Sequence, residues 1–280
     1  VNFAKMLVRT FAAWLLLPLV VAFFPEKPMD NIVFRRPAVS SSSGRAPLLR
    51  MRGGKQAQPA IPKIKLTYFD IEGAAEKVRL AMKIGGIDFE DERIEFSKWP
   101  ELKPKTPFGQ LPILSIDGSE PVAQSFAMLR YVGRICDLYP SDPEAALKID
   151  EVCGLQEDLA KALTPSYQIG VRPHLLGYPA DLPENERKTI QSKLRQALMA
   201  PDGDVPRFLR YFERILEKAG GMFLCGEFVT IADCALLPQL RQFANGRLDG
   251  IPTNCLDAYP RLTAWYTRMM QLPPVQKHYA

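Results

Sequence analysis

Past residue 62 the apolar positions follow two successive rhythms. Lys63–Phe69 is a short apolar, aromatic-rich run that predicts a strand, and Gly73–Ile84 repeats its apolar residues at helical spacing until Gly85-Gly86 stops it. A second strand is predicted over Asp88–Ile94, then a proline-flanked segment from Trp99 to Pro107, then a strand over Leu111–Ile116 that turns at Asp117-Gly118. A brief strand at Pro121-Val122 and a helix over Ser125–Cys136 complete the unit. The order βαβ followed by ββα predicts a small mixed sheet covered by helices. Beyond Tyr139-Pro140 the alternation stops and long helical periods begin, over Pro143–Leu163, Glu184–Met199, Asp204–Lys218, Ile231–Phe243 and Arg261–Leu272. This change sets a boundary near residue 140, with an α/β unit over 63–139 and an all-helical unit over 143–280. Thr230-Ile-Ala-Asp233 has the spacing of a capping box, with Asp in the acidic place.

Residues 1–62 follow neither rhythm and read as a targeting presequence. Lys5 and Arg9 precede an apolar run from Phe11 that ends in Val20-Val21-Ala22, a signal-peptide layout over about residues 6–22. Met6 opens that layout more cleanly than Val1 does. Even with Phe23 and Phe24 included, the run is well short of the roughly 20 residues of a membrane-spanning helix, and Pro18 interrupts it. A retained anchor is the alternative, but no stable membrane insertion is expected once the presequence is removed. Residues 23–62 are basic, with serine at Ser40 to Ser43, and no acidic residue occurs from Asn31 to Phe69. This composition suits a transit peptide and is expected to stay disordered. Cleavage after Ala22 would expose Phe23, which resembles the two-part presequences of algae with complex plastids and implies plastid import. The alternative is a secreted protein with a basic linker.

The net charge of +5 belongs to that amino end. Residues 1–65 carry 11 Lys/Arg against 2 Asp/Glu, leaving 25 against 29 in the remainder. The folded body is therefore slightly acidic, and nucleic acid is not an expected partner. Five scattered cysteines, Cys136, Cys153, Cys225, Cys234 and Cys255, form neither a disulfide framework nor a metal spacing. With only His174 and His278 in the chain, a zinc site or a histidine-based triad lacks material, and no metal is expected.

Several motifs agree in order and separation with one family. Lys65-Leu-Thr-Tyr-Phe-Asp70, Trp99-Pro-Glu-Leu-Lys103, Thr106-Pro-Phe-Gly-Gln-Leu-Pro112, Gln124-Ser125, Phe223 to Asp233 and Tyr259-Pro-Arg-Leu262 together resemble the glutathione transferases, closest to the sigma class. The resemblance runs from about Lys63 to the end of the chain. It implies a thioredoxin-like α/β domain followed by an all-helical domain, glutathione as co-substrate, a hydrophobic electrophile as second substrate, and a homodimer. A detoxifying conjugation is the activity it implies.

The chemistry requires a thiol to become a thiolate, and a free cysteine thiol titrates near 8.5. A hydroxyl donor fixed beside the sulfur favours the anion. Tyr68 matches the family's catalytic tyrosine; read without the family, it is a core aromatic on a buried strand. Other classes place Ser or Cys after the first strand, and neither occurs between Lys63 and Ser97, which excludes a thiol-disulfide oxidoreductase. The resemblance assigns the rest of the glutathione site. Trp99 and Lys103 match positions that hold the glycyl carboxylate, a neutral and a charge-assisted donor; alternatively Trp99 covers the core and Lys103 is solvated. Gln110 belongs to the same binding set. Leu111-Pro112 corresponds to a cis-proline turn whose preceding backbone pairs with the cysteinyl part of the ligand. Gln124 and Ser125 open a helix whose free N–H groups suit the γ-glutamyl carboxylate, with a plain N-cap serine as the bland reading. For the ligand's ammonium, Glu157 and above all Asp158 match a position from which the neighbouring subunit contributes an acid; otherwise both sit on a solvated helix face.

One position departs from the pattern. Ala74 stands where sigma-like members have an arginine that polarises the sulfur site. Tyr68 alone, or another cation, would have to serve. Two further activities stay open: glutathione-dependent isomerisation or peroxide reduction of lipid-derived substrates, and non-catalytic carriage of hydrophobic ligands or pigments.

Overall fold

A computed structural model describes residues 62–280, and the presequence expectations fall outside them. The first unit is a four-stranded sheet of order β2-β1-β3-β4, with β1 at Ile64–Phe69, β2 at Phe89–Ile94, β3 at Ile113–Ile116 and β4 at Val122–Ala123. β1 runs parallel to β2 and antiparallel to β3, which is antiparallel to β4, so the sheet is mixed as its predicted order requires. The parallel pair is joined by α1, Glu76–Ile84, entered through a single 3-10 turn at Gly73–Ala75. Short helical turns fill the segment before β3, including α2 at Trp99–Leu102, and α3 spans Ser125–Ile135. α1 ends where Gly85 meets α3: a Cβ there would come 2.3 Å from Cys136 Sγ, so only glycine permits this approach.

The second unit is all helical: α4 (Pro143–Val171), α5 (Glu184–Leu198), α6 (Asp204–Ala219), α7 (Ile231–Ala244), α8 (Pro260–Gln271) and α9 (Pro273–Tyr279). The architecture is thus a thioredoxin-like α/β sheet followed by helices. α4 continues eight residues past its predicted end because Pro165 does not break it. Proline removes one helical donor, but Thr164 and Ser166 donate their hydroxyls to the carbonyls of Ala160 and Leu163, and Ile169 returns to the core on the next turn. α9 has no predicted counterpart, since Pro273-Pro274 reads as a stop; proline is tolerated in a first helical turn, where its missing N–H has no intrahelical use.

One apolar core joins both units, with α7 packed on α1 and α4 and nearly every α7 residue buried. Asp233 is fully buried at the start of α7. Its carboxylate accepts from Thr230 N–H (2.8 Å) and hydroxyl (3.0 Å), Leu224 N–H (3.0 Å) and Trp265 Nε1 (2.7 Å). The capping-box spacing therefore marks more than a helix start: it anchors α8 through the fully buried Trp265. Burial raises the Asp233 pKa, against the pull of those donors. All five cysteines are free thiols, Cys153 and Cys234 buried.

Candidate functional site

Strand register brings three of the predicted segments to one end of the sheet. Thr67 stands opposite Ile113, and Ile113 opposite Ala123. The next position on each chain is Tyr68, Pro112 and Gln124, so these three form a row where the strands give way to loops. The Leu111–Pro112 peptide is cis, and Pro112 is buried while Leu111 stays partly exposed. Gln124 is the N-cap residue of α3 and has φ 77°, ψ 100°, a left-handed value uncommon for a side chain of this size. Ser125 is therefore the first helical residue rather than the cap. Met128 N–H reaches the Gln124 carbonyl at 3.1 Å, and the N–H groups ahead of it have no intrahelical acceptor.

Tyr68 lies on the buried face of β1 with Ile64 and Leu66 and is only 9% exposed. It is a core aromatic by burial, yet its hydroxyl leaves the core and accepts the Ala74 N–H at 3.2 Å. Gly73 makes this possible. With φ +43°, a Cβ there would come 2.6 Å from Tyr68 Oη, so a side chain would take the space the phenol occupies. The phenolic O–H itself has no acceptor among the described residues.

Arg79, fully buried in α1, fixes the loop around that phenol. Its Nη1 donates to the carbonyls of Ile71 (2.8 Å) and Glu72 (3.3 Å) and to Glu76 (3.1 Å), while Nε donates to Asp91 (2.9 Å). The guanidinium lies 5.8 Å from the Tyr68 ring centroid. Glu76 also meets His278 Nε2 of α9 at 2.6 Å. Burial acts to raise the Glu76 pKa, but His278 and Arg79 outweigh it and hold it below the ordinary carboxylate value. Glu72 turns its Oε1 to two arginines, Arg241 of α7 and Arg247 just beyond it, each at 2.5 Å. None of these contacts was legible as a functional signal. Arg79 looked like one charge among the apolar positions of α1, and its pairing with Asp91 depends on the parallel β1–β2 crossover.

The remaining predicted residues lie at varying distance from the row. Trp99 packs edge-on against Phe69, the next residue after Tyr68, with centroids 5.7 Å apart, and Phe96 stacks on the same ring at 4.4 Å. Lys103 is exposed, and its stem passes beside Gly109, where a Cβ would stand 3.4 Å from Lys103 Cε. Gln110, next to Leu111, is also exposed. Glu157 and Asp158 are exposed on α4; Asp158 pairs with Lys161 at 3.4 Å. Asp158 lines an open groove of about 590 Å³ between α4 and α6, with Leu155, Tyr211, Arg214 and Lys218, that none of the other predicted residues enters. Glu157 faces Lys77 of α1, whose Nζ sits 4.5 Å above the Phe126 ring; burial depresses the Lys77 pKa to about 8, against the pull of Glu157. Among the described residues no group of three His, Cys, Asp or Glu side chains is placed to hold a metal, and no helix is long and apolar enough to cross a membrane.

A thioredoxin-like sheet with a cis-proline row at its end, joined to an all-helical unit, is the two-domain architecture that the family resemblance implies. Family comparisons narrow it. The family model for the glutathione S-transferase N-terminal domain matches residues 64–134, and that for the C-terminal domain matches residues 184–280. Glutathione S-transferase 1 of Ascaris suum is 32% identical over 217 residues, 78% of this chain and 95% of that protein. The chain belongs to the glutathione S-transferase family. Among solved structures, the glutathione S-transferase of Ascaris lumbricoides superposes with a TM-score of 0.62 at 30% identity, covering 78% of this chain and 96% of that one. The prostaglandin synthase D of Nilaparvata lugens gives 0.64 at 25% identity, covering 78% and 97%.

Proposed function

We propose that this protein conjugates glutathione to electrophilic small molecules, as a sigma-like transferase in which Tyr68 stabilises the thiolate. The observation that carries the reading is the state of the Tyr68 hydroxyl. Its oxygen is occupied by the Ala74 N–H and its proton is uncommitted, at the end of the row formed with Pro112 and Gln124. A donor fixed in this way bonds more strongly to a thiolate than to a thiol and lowers the thiol pKa. Each unit of lowering multiplies the thiolate fraction near neutral pH about tenfold.

Glutathione would lie along the row. Its cysteinyl backbone pairs with Leu111, its γ-glutamyl carboxylate meets Ser125 and the free N–H groups at the start of α3 beside Gln124, and its glycyl carboxylate meets Trp99, Lys103 and Gln110. Asp158 of a second subunit accepts from the ligand's ammonium, which makes the working unit a homodimer. The thiolate then attacks the electrophilic carbon; the C–S bond forms, the leaving group departs with its electron pair, and the thiol proton has already passed to solvent. Arg79 serves the step indirectly by holding loop 71–74 against the phenol.

Tyr68→Phe removes the donor and keeps the ring. Glutathione affinity is expected to persist while turnover of an activated aryl halide falls at least about tenfold, the scale of losing one site-specific donor. Turnover equal to that of the unaltered protein would overturn the role.

A second reading, glutathione-dependent isomerisation of lipid-derived substrates, draws on the likeness to a structure named as a prostaglandin synthase; product analysis separates it from conjugation. A non-catalytic carrier draws on Ala74, and predicts retention on immobilised glutathione with no turnover of any electrophile. The plastid address rests on the signal-peptide layout of about residues 6–22 together with the composition of residues 23–62, and a fluorescent fusion of residues 1–62 tests it.

A further inference from the structure

Arg241 and Arg247 approach each other because both seek the same oxygen. Each Nη1 lies 2.5 Å from Glu72 Oε1, so the two nitrogens stand at most twice that distance apart. Two like charges gather this closely only where a countercharge holds them, and here one carboxylate serves two guanidinium groups. No other carboxylate among the described residues pairs with either arginine: Glu76 meets Arg79 and His278, Asp91 meets Arg79 and Arg93, and Asp70 meets Arg93. The trio of Arg241, Arg247 and Glu72 therefore carries one positive charge in excess, two residues from the Ala74 N–H that binds the Tyr68 hydroxyl.

The donors are also unspent. Among the described residues, neither arginine uses its Nε or Nη2 in a hydrogen bond. Arg241 is held flat, its guanidinium carbon 3.9 Å from the Tyr279 ring centroid, with only 15% of its side chain exposed. Arg247 is 59% exposed and faces solvent. A largely buried planar fork beside an exposed one presents the donor pattern that planar anions prefer. Glu72 occupies one edge of each, and its buried Oε2 has no partner of its own.

We infer that Arg241 and Arg247 form an anion site beside the Tyr68 loop that selects electrophiles carrying a carboxylate. The inference rests on the conjugating reading for its biological use, but the preference itself is a property of binding. The plain alternative is a clamp in which the arginines only fasten loop 71–74 to α7. A clamp would treat charged and uncharged ligands alike.

The test uses a matched pair, 4-chloro-3-nitrobenzoate and 4-chloro-3-nitrobenzamide, which share a shape and differ in charge. Equilibrium dialysis of the full protein with glutathione present measures binding of each, and chloride release measures turnover. The benzoate is expected to bind about fivefold more tightly than the benzamide, with a ratio that shrinks as salt rises. Arg247→Gln should bring the ratio close to one. Glu72→Gln, which frees both guanidinium groups from a competing carboxylate, should raise it above that of the unaltered protein. Arg207→Gln, removing a surface arginine paired with Asp204 on α6, should leave it unchanged. A ratio near one in the unaltered protein, or one that Arg247→Gln does not lower, overturns the inference whether or not either compound reacts. Absence of chloride release from both, with the binding ratio intact, would instead count against conjugation.

Discussion

The contact between Gly73 and Tyr68 can be probed from both sides. Gly73→Ala introduces a methyl group 2.6 Å from the phenol oxygen and 2.8 Å from Cε1, at a φ of +43°. The backbone term alone costs about 1–2 kcal/mol for a residue with a Cβ in the left-handed region. The overlap cannot remain at such distances, so the ring must swing or the loop must lift, adding about 1–3 kcal/mol as in other overpacked sites. A total loss of about 2–5 kcal/mol is expected, lowering Tm by roughly 4–20 °C in a chain of this size. Tyr68→Phe removes the atom in closest contact, so Gly73→Ala should cost at least about 0.5 kcal/mol less in that background. Urea denaturation of the four proteins in the cycle measures the coupling, and conjugation assays on Gly73→Ala should show turnover reduced along with stability. Strictly additive losses would refute the reasoning, because they would mean the methyl group never meets the phenol.

Three further outcomes are expected. Asp233→Ala leaves the buried donors of Leu224, Thr230 and Trp265 without an acceptor, and at about 1–3 kcal/mol for each orphan it should cost at least about 3 kcal/mol in urea. Arg79→Met leaves the loop carbonyls without their donor and Glu76 with His278 as its one remaining cationic partner; a loss of about 3–5 kcal/mol is expected, and Arg79→Lys should not restore it, since an ammonium cannot reach the same four acceptors. Lys77 has a folded pKa of about 8, below its ordinary 10.5, so between these values the unfolded chain binds more protons and stability contributed by this group rises with pH. Lys77→Met should therefore stabilise the protein at pH 7.5, and its advantage over the unaltered protein should shrink toward pH 10, by at most about 1.4 kcal/mol per pH unit; an advantage independent of pH would contradict this.

What the sequence disclosed was whatever depends on neighbours along the chain. The strands and most helices follow from local period and punctuation, and Thr230 to Asp233 announced a helix start. The candidate site was legible as motifs, and the register then put Tyr68, Pro112 and Gln124 in one row. Contacts between distant segments were not legible. Nothing near Glu72 indicates that Arg241 and Arg247 come to it, and nothing near Arg79 marks it as the support of loop 71–74. The two differences at helix ends share a physical feature, a proline at Pro165 and at Pro273, which neighbouring hydroxyls in one case and a first-turn position in the other make tolerable. Ala74 remains the position where the motif is broken, and the arginine that reaches nearby Glu72 comes from a part of the chain about 170 residues away.

Trp265 gives the protein a built-in optical gauge. Its indole is fully enclosed and bonded to Asp233 in the helical unit, while Trp99 is half-open beside the sheet. Emission from the first should shift to longer wavelength only when the α7–α8 junction gives way, and that of the second should respond to events around Phe69. With Trp14 also replaced, exchanging either indole for phenylalanine isolates the other signal, so one cuvette experiment can tell whether sheet and helices melt in concert or in sequence.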